Sequence, residues 1–289
     1  MGKLVRFFVK PFLWLLFLMP RWFHRGLAYL LGVLWFDIFR VRRKIVLDNL
    51  KIAYPQMSDS ERLKIARAAM YNVGRTIVDV MLLPFISKAW SDEHMEIRGY
   101  EHYEAAKSKG KGIIFLSLHL GNGDMAVCAM SLIGMPVHVI TKTFKSEWLN
   151  ELWFAARTKH GAKYISDRKS SFEILRVLRQ NEIVVFVLDQ YMGPPLGVKT
   201  KFFGKETGTA MGLALFHERA NCPVLPVYAY YENGKSICQI DPPVALQSKG
   251  SRDETILHMT QVYCDYIERL VRQRPEQWMW VHRRWKEFN

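Results

Sequence analysis

Two uninterrupted apolar runs near the middle of the chain predict strands that are buried on both faces. They are Ile113–Leu118 and Ile183–Leu188, and neither alternates with polar residues as a half-exposed strand does. A third strand is predicted at Val224–Tyr230, and Asn233-Gly234 is a hairpin signal that predicts an edge partner at Ser236–Ile240. Two shorter strands are predicted at Val137–Ile140 and Ala162–Ile165.

Helical periodicity separates these strands. A capping box of Ser58 and Glu61 opens one helix, which we expect to end near Leu83 because Pro84 follows. Further helices are predicted at Gly99–Lys109, Asp124–Leu132, Glu147–His160, Ser171–Gln180, Thr209–Ala220 and Asp253–Arg274. This alternation predicts an α/β fold with a largely parallel or mixed central sheet flanked by helices, formed by residues 41–289 as one domain.

The first 40 residues differ in character from the rest of the chain. Two apolar segments, Phe12–Met19 and Leu27–Phe36, are separated by Pro20 and three basic residues, and neither reaches the roughly 20 residues that span a bilayer. We expect residues 1–40 to form an apolar helical membrane anchor that lies in or dips into the membrane. A basic cluster at 40–44 would then face anionic headgroups on the cytoplasmic side. A single spanning helix, an ordinary core helix and a solvated basic turn are the alternatives.

The amino-acid composition indicates an anionic partner. The chain has 289 residues with 41 basic against 27 acidic side chains, a net charge of +14. Nine tryptophans and 17 phenylalanines favour membrane lipid over nucleic acid as that partner. The four cysteines are scattered without a Cys-x-x-Cys spacing, which argues against a structural zinc site and a disulfide framework, as in a cytoplasmic protein.

Candidate chemistry lies directly after the first buried strand, in the segment SLHLGNGD. His119 stands at the carboxyl end of that strand, where ligands bind in open α/β sheets. The turn Gly121-Asn122-Gly123 would bring Asp124 back beside the imidazole. A carboxylate bonded to one ring nitrogen raises the basicity of the other, so His119 and Asp124 would form a general base for an incoming hydroxyl. The alternative is a buried structural histidine followed by a helix-capping aspartate.

Three ordered blocks then carry a family resemblance over nearly the whole chain. HLGNGD resembles the His-x4-Asp/Glu motif of the lysophospholipid and glycerolipid acyltransferase superfamily. Residues 188–212 and 275–286 are similar to the DQ…GV…FFG…T…G block and the C-terminal signature of the bacterial lipid A late acyltransferases, the lauroyl and myristoyl transferases. Many of those enzymes carry glutamate where this chain has Asp124. The mycobacterial phosphatidylinositol mannoside acyltransferases are more similar at this position, which leaves the acceptor open.

The resemblance also implies roles for residues outside the motif. Arg157 would bind an acceptor phosphate or the thioester oxyanion, and its alternative is a solvated helix arginine. Asp189, at the end of the second buried strand, would orient substrate or Arg157, or would simply begin a turn. Besides Arg157 and Asp189, the expected substrate-binding residues are Gln190, Lys201, Arg283 and Arg284. The tryptophans near the last two, Trp278, Trp280 and Trp285, are expected at a lipid interface.

The reaction implied by the resemblance is acyl transfer from a thioester to a hydroxyl. The donor would be an acyl carrier protein thioester or acyl-CoA, and the acceptor a phosphorylated glycolipid, the lipid A precursor. Neither a metal nor an organic cofactor is required, because thioesters are intrinsically activated. The expected location is the cytoplasmic face of the cell inner membrane, without nucleic acid. Another glycolipid or lysophospholipid acceptor, a nonenzymatic basic protein and a metal-dependent hydrolase are the competing hypotheses.

Overall fold

A computed structural model describes residues 11–142, 147–167 and 170–288 of the chain. Single 3₁₀ turns occur at Leu83–Phe85 and Pro275–Gln277, and a π-helical turn at Leu34–Ile38 continues α2. The α-helices are α1 (11–18), α2 (Arg21–Val33), α3 (Arg43–Ala53), α4 (Asp59–Leu82), α5 (Lys88–His94), α6 (Tyr100–Lys107), α7 (Gly123–Leu132), α8 (Glu147–Thr158), α9 (Ser171–Arg179), α10 (Gly212–Ala220) and α11 (Arg252–Gln273).

The strands form one seven-stranded sheet and one separate hairpin. The strands are β1 (Met95–Arg98), β2 (Ile113–Ser117), β3 (Val137–Thr141), β4 (Lys163–Ser166), β5 (Ile183–Val187), β6 (Gly197–Phe202), β7 (Lys205–Ala210), β8 (Val224–Glu232) and β9 (Lys235–Ile240). The sheet order is β1-β9-β8-β2-β5-β3-β4, and every neighbouring pair is parallel except β8 and β9. β6 and β7 form the antiparallel hairpin. The predicted mixed α/β architecture with a central sheet is confirmed.

Two details of the predicted elements are wrong. β9 is not an edge strand, because β1, which is too short to be recognised from its pattern, pairs in parallel with it. The helix predicted from Thr209 begins instead at Gly212. Thr207 and Thr209 are fully buried on one face of β7, so the hairpin, and not a helix, satisfies the backbone there.

The two strands that carry the candidate chemistry lie side by side in the middle of the sheet. The side chains of Ile113, Ile114 and Phe115 in β2 are completely buried. Burying each one contributes about 1.5–3 kcal/mol, which is why an apolar run without alternation folds here. β2 pairs with β5 in a register that sets Ser117 opposite Val187. The residues that follow these two strands therefore meet at the same edge of the sheet.

The N-terminal helices pack against the rest of the chain through α4. Gly74 of α4 lies so close to α2 that an added Cβ would be 2.2 Å from the carbonyl oxygen of Ala28. The predicted capping box begins α4, with the backbone N–H of Ser58 donating to Glu61 Oε2 at 2.7 Å.

The membrane anchor in the predicted fold is wrong. Within residues 11–142, 147–167 and 170–288, no helix combines the length and apolar character needed to cross a membrane. The apolar stretch is divided because α1 ends before Pro20, and α2 begins with Arg21 and carries Arg25. Residues 1–10 of the predicted segment lie outside the described residues. The division of the chain at residue 40 stays a prediction.

Candidate active site

His119 lies two residues beyond the end of β2, in a loop that is held by the C-terminal segment. Its carbonyl oxygen accepts a hydrogen bond from the backbone N–H of Met279 at 3.1 Å. The N–H of Gly121 donates to the carbonyl oxygen of Gln277 at 3.0 Å. Gly121 has a φ of +54°, and an added Cβ would be 2.7 Å from the carbonyl oxygen of Ala229. A glycine is therefore required here, and the predicted turn is tight at Gly121.

The other two residues of the predicted turn have different roles. The side-chain Oδ1 of Asn122 caps α7 by accepting hydrogen bonds from the N–H groups of Asp124 and Met125, at 3.1 and 3.3 Å. Gly123 is the first residue of α7, and an added Cβ would meet nothing within 4 Å. Asp124 thus lies in the first turn of a helix, where a carboxylate is stabilised by the helix dipole.

The carboxylate that holds the imidazole comes from the neighbouring strand. Asp189 follows β5, and its Oδ1 accepts a hydrogen bond from Nδ1 of His119 at 2.8 Å. Its Oδ2 accepts two more, from the backbone N–H of His119 at 3.0 Å and from Nε1 of Trp278 at 2.7 Å. The Asp189 side chain is 2% exposed, whereas that of His119 is 32% exposed. The carboxylate is buried and fully bonded, and the imidazole remains accessible.

This geometry corrects the predicted pairing of His119 with Asp124. Asp124 Oδ1 lies 2.5 Å from a terminal nitrogen of Arg157, and between the described side chains of His119 and Asp124 there is no hydrogen bond. The turn does not carry Asp124 back to the ring, because Asn122 starts α7 at once and directs Asp124 towards the end of α8. Asp189, expected to orient substrate or Arg157, orients His119 instead.

The pair of Asp124 and Arg157 forms a second charged unit near the imidazole. The guanidinium of Arg157 lies over the rings of Trp153 and Tyr164, 4.4 and 5.4 Å from their centroids. Its Nε is buried and has no hydrogen-bond partner among the described residues. Asp124 raises the pKa of His119 and Arg157 lowers it, so both charges act on the ring from nearby.

The electrostatics of His119 and Asp189 favour a charged imidazole. Burial lowers the pKa of His119, but the charge and hydrogen bond of Asp189 outweigh it, and the net shift is upwards from 6.5. Burial acts in the opposite direction on Asp189, and the imidazole together with the hydrogen bonds brings the pKa of this carboxyl well below its ordinary 3.8. The pair can therefore accept a proton at Nε2 and stabilise the resulting charge.

Gln190 and His282 complete the surroundings of Nε2. The amide nitrogen of Gln190 is 3.4 Å from Nε2 of His119 and 3.1 Å from Nε2 of His282. Burial and the charge of His119 lower the pKa of His282 to about 4, so this second ring is neutral. His282 was not predicted as a site residue, although it lies within the C-terminal block at 275–286.

The remaining residues predicted to bind substrate do not gather around the imidazole. Lys201 and Arg283 are exposed, and no contact among the described residues joins either of them to His119. Arg284 is completely buried and donates to the carbonyl oxygen of Gly208 and the hydroxyl of Thr209, so it holds the hairpin and is not open to a ligand.

The tryptophans predicted at a lipid interface are mainly core residues. Trp278 and Trp280 are each 1% exposed, and their rings pack edge to face with centroids 4.5 Å apart. Trp285 is partly buried and donates to the carbonyl oxygen of Phe202. Trp278 thus belongs to the site through Asp189, a role that its apparent interfacial pattern concealed.

A histidine whose ring is oriented by a buried aspartate has the arrangement that can serve as a general base. Comparison with known proteins gives the family. The model of the bacterial lipid A biosynthesis acyltransferase family matches residues 2–287, and the chain belongs to that family. It is an acyltransferase, and the resemblance inferred from its three sequence blocks is confirmed.

Individual relatives are similar over most of their length. The chain is 27% identical to the lipid A biosynthesis lauroyltransferase of Escherichia coli K12, covering 95% of this chain and 89% of the relative. It is 22% identical to the palmitoleoyltransferase of the same organism, over 98% and 95% of the two chains. A phosphatidylinositol mannoside acyltransferase of Mycobacterium tuberculosis H37Rv is 23% identical, over 75% of this chain and 69% of the relative.

Proposed function

We propose that this chain transfers a fatty acyl group from acyl carrier protein to a hydroxyl of a phosphorylated lipid A precursor. The observation that carries the proposal is the hydrogen bond between Nδ1 of His119 and the buried Asp189, at 2.8 Å. It fixes the tautomer in which Nε2 of the neutral ring has a free lone pair. Family membership supplies the reaction class, acyl transfer to a glycolipid.

The reaction begins with the acceptor hydroxyl at Nε2 of His119. The ring takes the hydroxyl proton while the oxygen attacks the thioester carbonyl, giving a tetrahedral oxyanion. Asp189 stabilises the imidazolium without taking a proton, because its pKa lies far below that of the ring. Collapse of the intermediate expels the thiolate, which recovers the proton from His119, so the ester and a free thiol are the products.

We propose two hydrogen-bond donors for the developing oxyanion. The unpartnered Nε of Arg157 carries a hydrogen, and the amide of Gln190 lies next to Nε2. Gln190 occupies the space that an acceptor hydroxyl needs, so the amide has to give way and is then available to the oxyanion. Asp124 keeps the guanidinium of Arg157 in position through the contact at 2.5 Å.

The charge and surface of the chain support the proposed partners and location. The net charge of +14 favours an acidic donor protein such as acyl carrier protein over uncharged donors. Large apolar side chains between residues 12 and 41 are exposed, among them Trp22 at 73% and Phe39 at 69%. Exposed apolar patches of this kind mark sites of interaction with other molecules. The proposed acceptor is itself a lipid, and we propose that the reaction takes place at the cytoplasmic face of the inner membrane.

The test is an assay of the purified full chain with tetraacylated lipid A precursor and a panel of acyl carrier protein and CoA thioesters. We expect mass spectrometry to detect one added acyl chain, and we expect His119→Ala to abolish it while leaving the circular dichroism spectrum unchanged. Retention of the wild-type rate by His119→Ala would refute the mechanism.

A different acceptor is the second candidate, because the chain is also similar to a protein named as a phosphatidylinositol mannoside acyltransferase. Transfer to a mannosylated phosphatidylinositol or a lysophospholipid, with no transfer to the lipid A precursor, would support that acceptor.

A further inference from the structure

A cleft of about 210 Å³ lies between the end of α1, the start of α2 and the helices α4 and α5. Three arginines line it: Arg21, Arg25 and Arg75. The cleft adjoins the catalytic loop through Thr76, whose hydroxyl donates to the carbonyl oxygen of Gly121 at 3.2 Å. None of the mechanism described above uses these arginines.

The three guanidinium groups line one cleft and act on one another electrostatically. Burial is the main cause that lowers the pKa of Arg21; the charges of Arg75 and Arg25 lower it further, and those of Asp79 and Glu93 raise it. Arg21 donates to the carbonyl oxygen of Gly234 at 2.7 Å. Arg25 has no hydrogen bond and no carboxylate within 4 Å among the residues that the structure describes, and its terminal nitrogen lies beside the same glycine.

One carboxylate also lines the cleft, and it is already engaged. Asp79 accepts a hydrogen bond from the hydroxyl of Tyr231 at 2.6 Å. Burial raises the pKa of its carboxyl, and the charge of Arg75 opposes that shift. The guanidinium carbon of Arg75 lies over the Tyr231 ring, 3.4 Å from the ring centroid. Asp79 and Arg75 compensate each other, so Arg21 and Arg25 leave a net positive cleft.

The backbone adds to this positive potential. α2 has 13 residues and begins at Arg21 directly after Pro20, and no side chain caps its N-terminus. The first N–H groups of a helix and its dipole attract anions, and phosphate in particular. The forked guanidinium group of arginine can bind two oxygens of a phosphate at once, which a halide ion or a single carbonyl oxygen does not allow.

The apolar part of the lining points to an amphipathic ligand. Phe17, Val78 and Leu82 share the cleft with the arginines, and Trp22, next to Arg21 in the chain, is 73% exposed. A cleft of about 210 Å³ is smaller than the roughly 300–1,000 Å³ of sites that enclose a whole drug-sized ligand. A cleft of this size can hold a phosphate with its glycerol linkage, but not the sugar headgroup of a glycolipid acceptor.

We propose that this cleft binds the phosphate headgroup of an anionic bilayer phospholipid, separately from the acyl acceptor. Arg21 and Arg25 contact the phosphate oxygens, and the apolar lining contacts the glycerol and the first carbons of the acyl chains. The bound lipid would hold α2 and the adjoining catalytic loop at a fixed depth relative to the membrane surface.

The test is calorimetric titration of the full chain with dihexanoyl phosphatidylglycerol below its micelle concentration. We expect Arg25→Gln to weaken binding about tenfold or more, the loss typical of a charge-assisted hydrogen bond. Arg219→Gln is the matched control. Arg219 is an exposed helix arginine that does not line the cleft, and its replacement removes the same charge. Arg25→Lys should bind with intermediate affinity.

Three results would overturn the proposal. They are equal loss of binding in Arg25→Gln and Arg219→Gln, equal binding of zwitterionic dihexanoyl phosphatidylcholine, or inorganic phosphate binding as tightly as the lipid. The last result would keep the anion site and exclude a lipid as its source. His119→Ala should bind the phospholipid like the wild type, so this measurement does not depend on whether acyl transfer occurs.

Discussion

Replacing Asp189 by asparagine tests which carboxylate activates His119. Oδ2 of Asp189 accepts two N–H groups, and Oδ1 accepts Nδ1–H of the ring. In Asp189→Asn the amide oxygen must take the Oδ2 position to satisfy both donors there. The amide NH2 then faces Nδ1 across 2.8 Å, where it can only donate. The ring must adopt the other tautomer, with the proton on Nε2.

The expected loss of catalytic activity follows from this tautomer. A protonated Nε2 cannot take the acceptor proton, and general-base catalysis is worth about 10²- to 10⁴-fold in rate. We therefore expect kcat to fall by about this factor while the fold is retained, because the two donors to Oδ2 keep an acceptor. The pKa of His119 should fall as well, because burial continues to lower it after the charge of Asp189 is removed.

The assay is steady-state acyl transfer between about pH 5 and 9, together with NMR titration of the imidazole. In the wild type we expect kcat/KM to rise with pH through an apparent pKa above 6.5, since the base must be neutral. Asp124→Asn is the control, and it should leave the NMR-measured pKa of His119 closer to that of the wild type. A larger shift in Asp124→Asn than in Asp189→Asn, or wild-type kcat in the latter, would refute the assignment of Asp189.

Three further results are expected. Trp278→Phe removes a donor to a buried carboxylate, so urea denaturation should show a loss of about 1.5–3 kcal/mol; a loss no larger than that of Trp285→Phe would contradict this. Gly121→Ala should destabilise the fold by at least about 1–2 kcal/mol, because it places a Cβ against the carbonyl of Ala229 at positive φ, whereas Gly123→Ala should be tolerated. The difference in unfolding free energy between the wild type and Asp189→Asn should be largest between pH 3.8 and 6.5. The lowered pKa of Asp189 stabilises the fold above pH 3.8, where the unfolded carboxyl is ionised. The raised pKa of His119 stabilises it below pH 6.5, and this contribution is lost as the pH rises. Equal differences at pH 5 and pH 9 would contradict it.

The sequence was sufficient to predict the strands that carry the site. β2 and β5 have no polar residue to place in solvent, so their apolar runs have one stable location, the middle of the sheet. It also predicted His119 and Asp189 at strand ends, because both follow such a run. β1 was missed because four residues, MEIR, show no distinct pattern, and this error made β9 an edge strand.

The pairing within the site could not be predicted in the same way. Asp124 is five residues from His119, and Asp189 is 70 residues away, so short-range spacing favoured the wrong partner. The correct partner depends on β2 and β5 being adjacent and on their register, which are long-range properties. Trp278 was misplaced for a related reason: an aromatic residue among arginines is typical of an interface, and only packing shows that its indole nitrogen reaches Asp189.

The hydrogen bonds between residues 277–279 and the residues around His119 bear on when the site forms during biosynthesis. These residues leave the ribosome after every strand of the sheet, so a nascent chain whose sheet has already formed still lacks the bonds from Trp278 and Met279. The site around His119 is therefore complete only after residues 277–279 have been synthesised, later than every strand of the sheet.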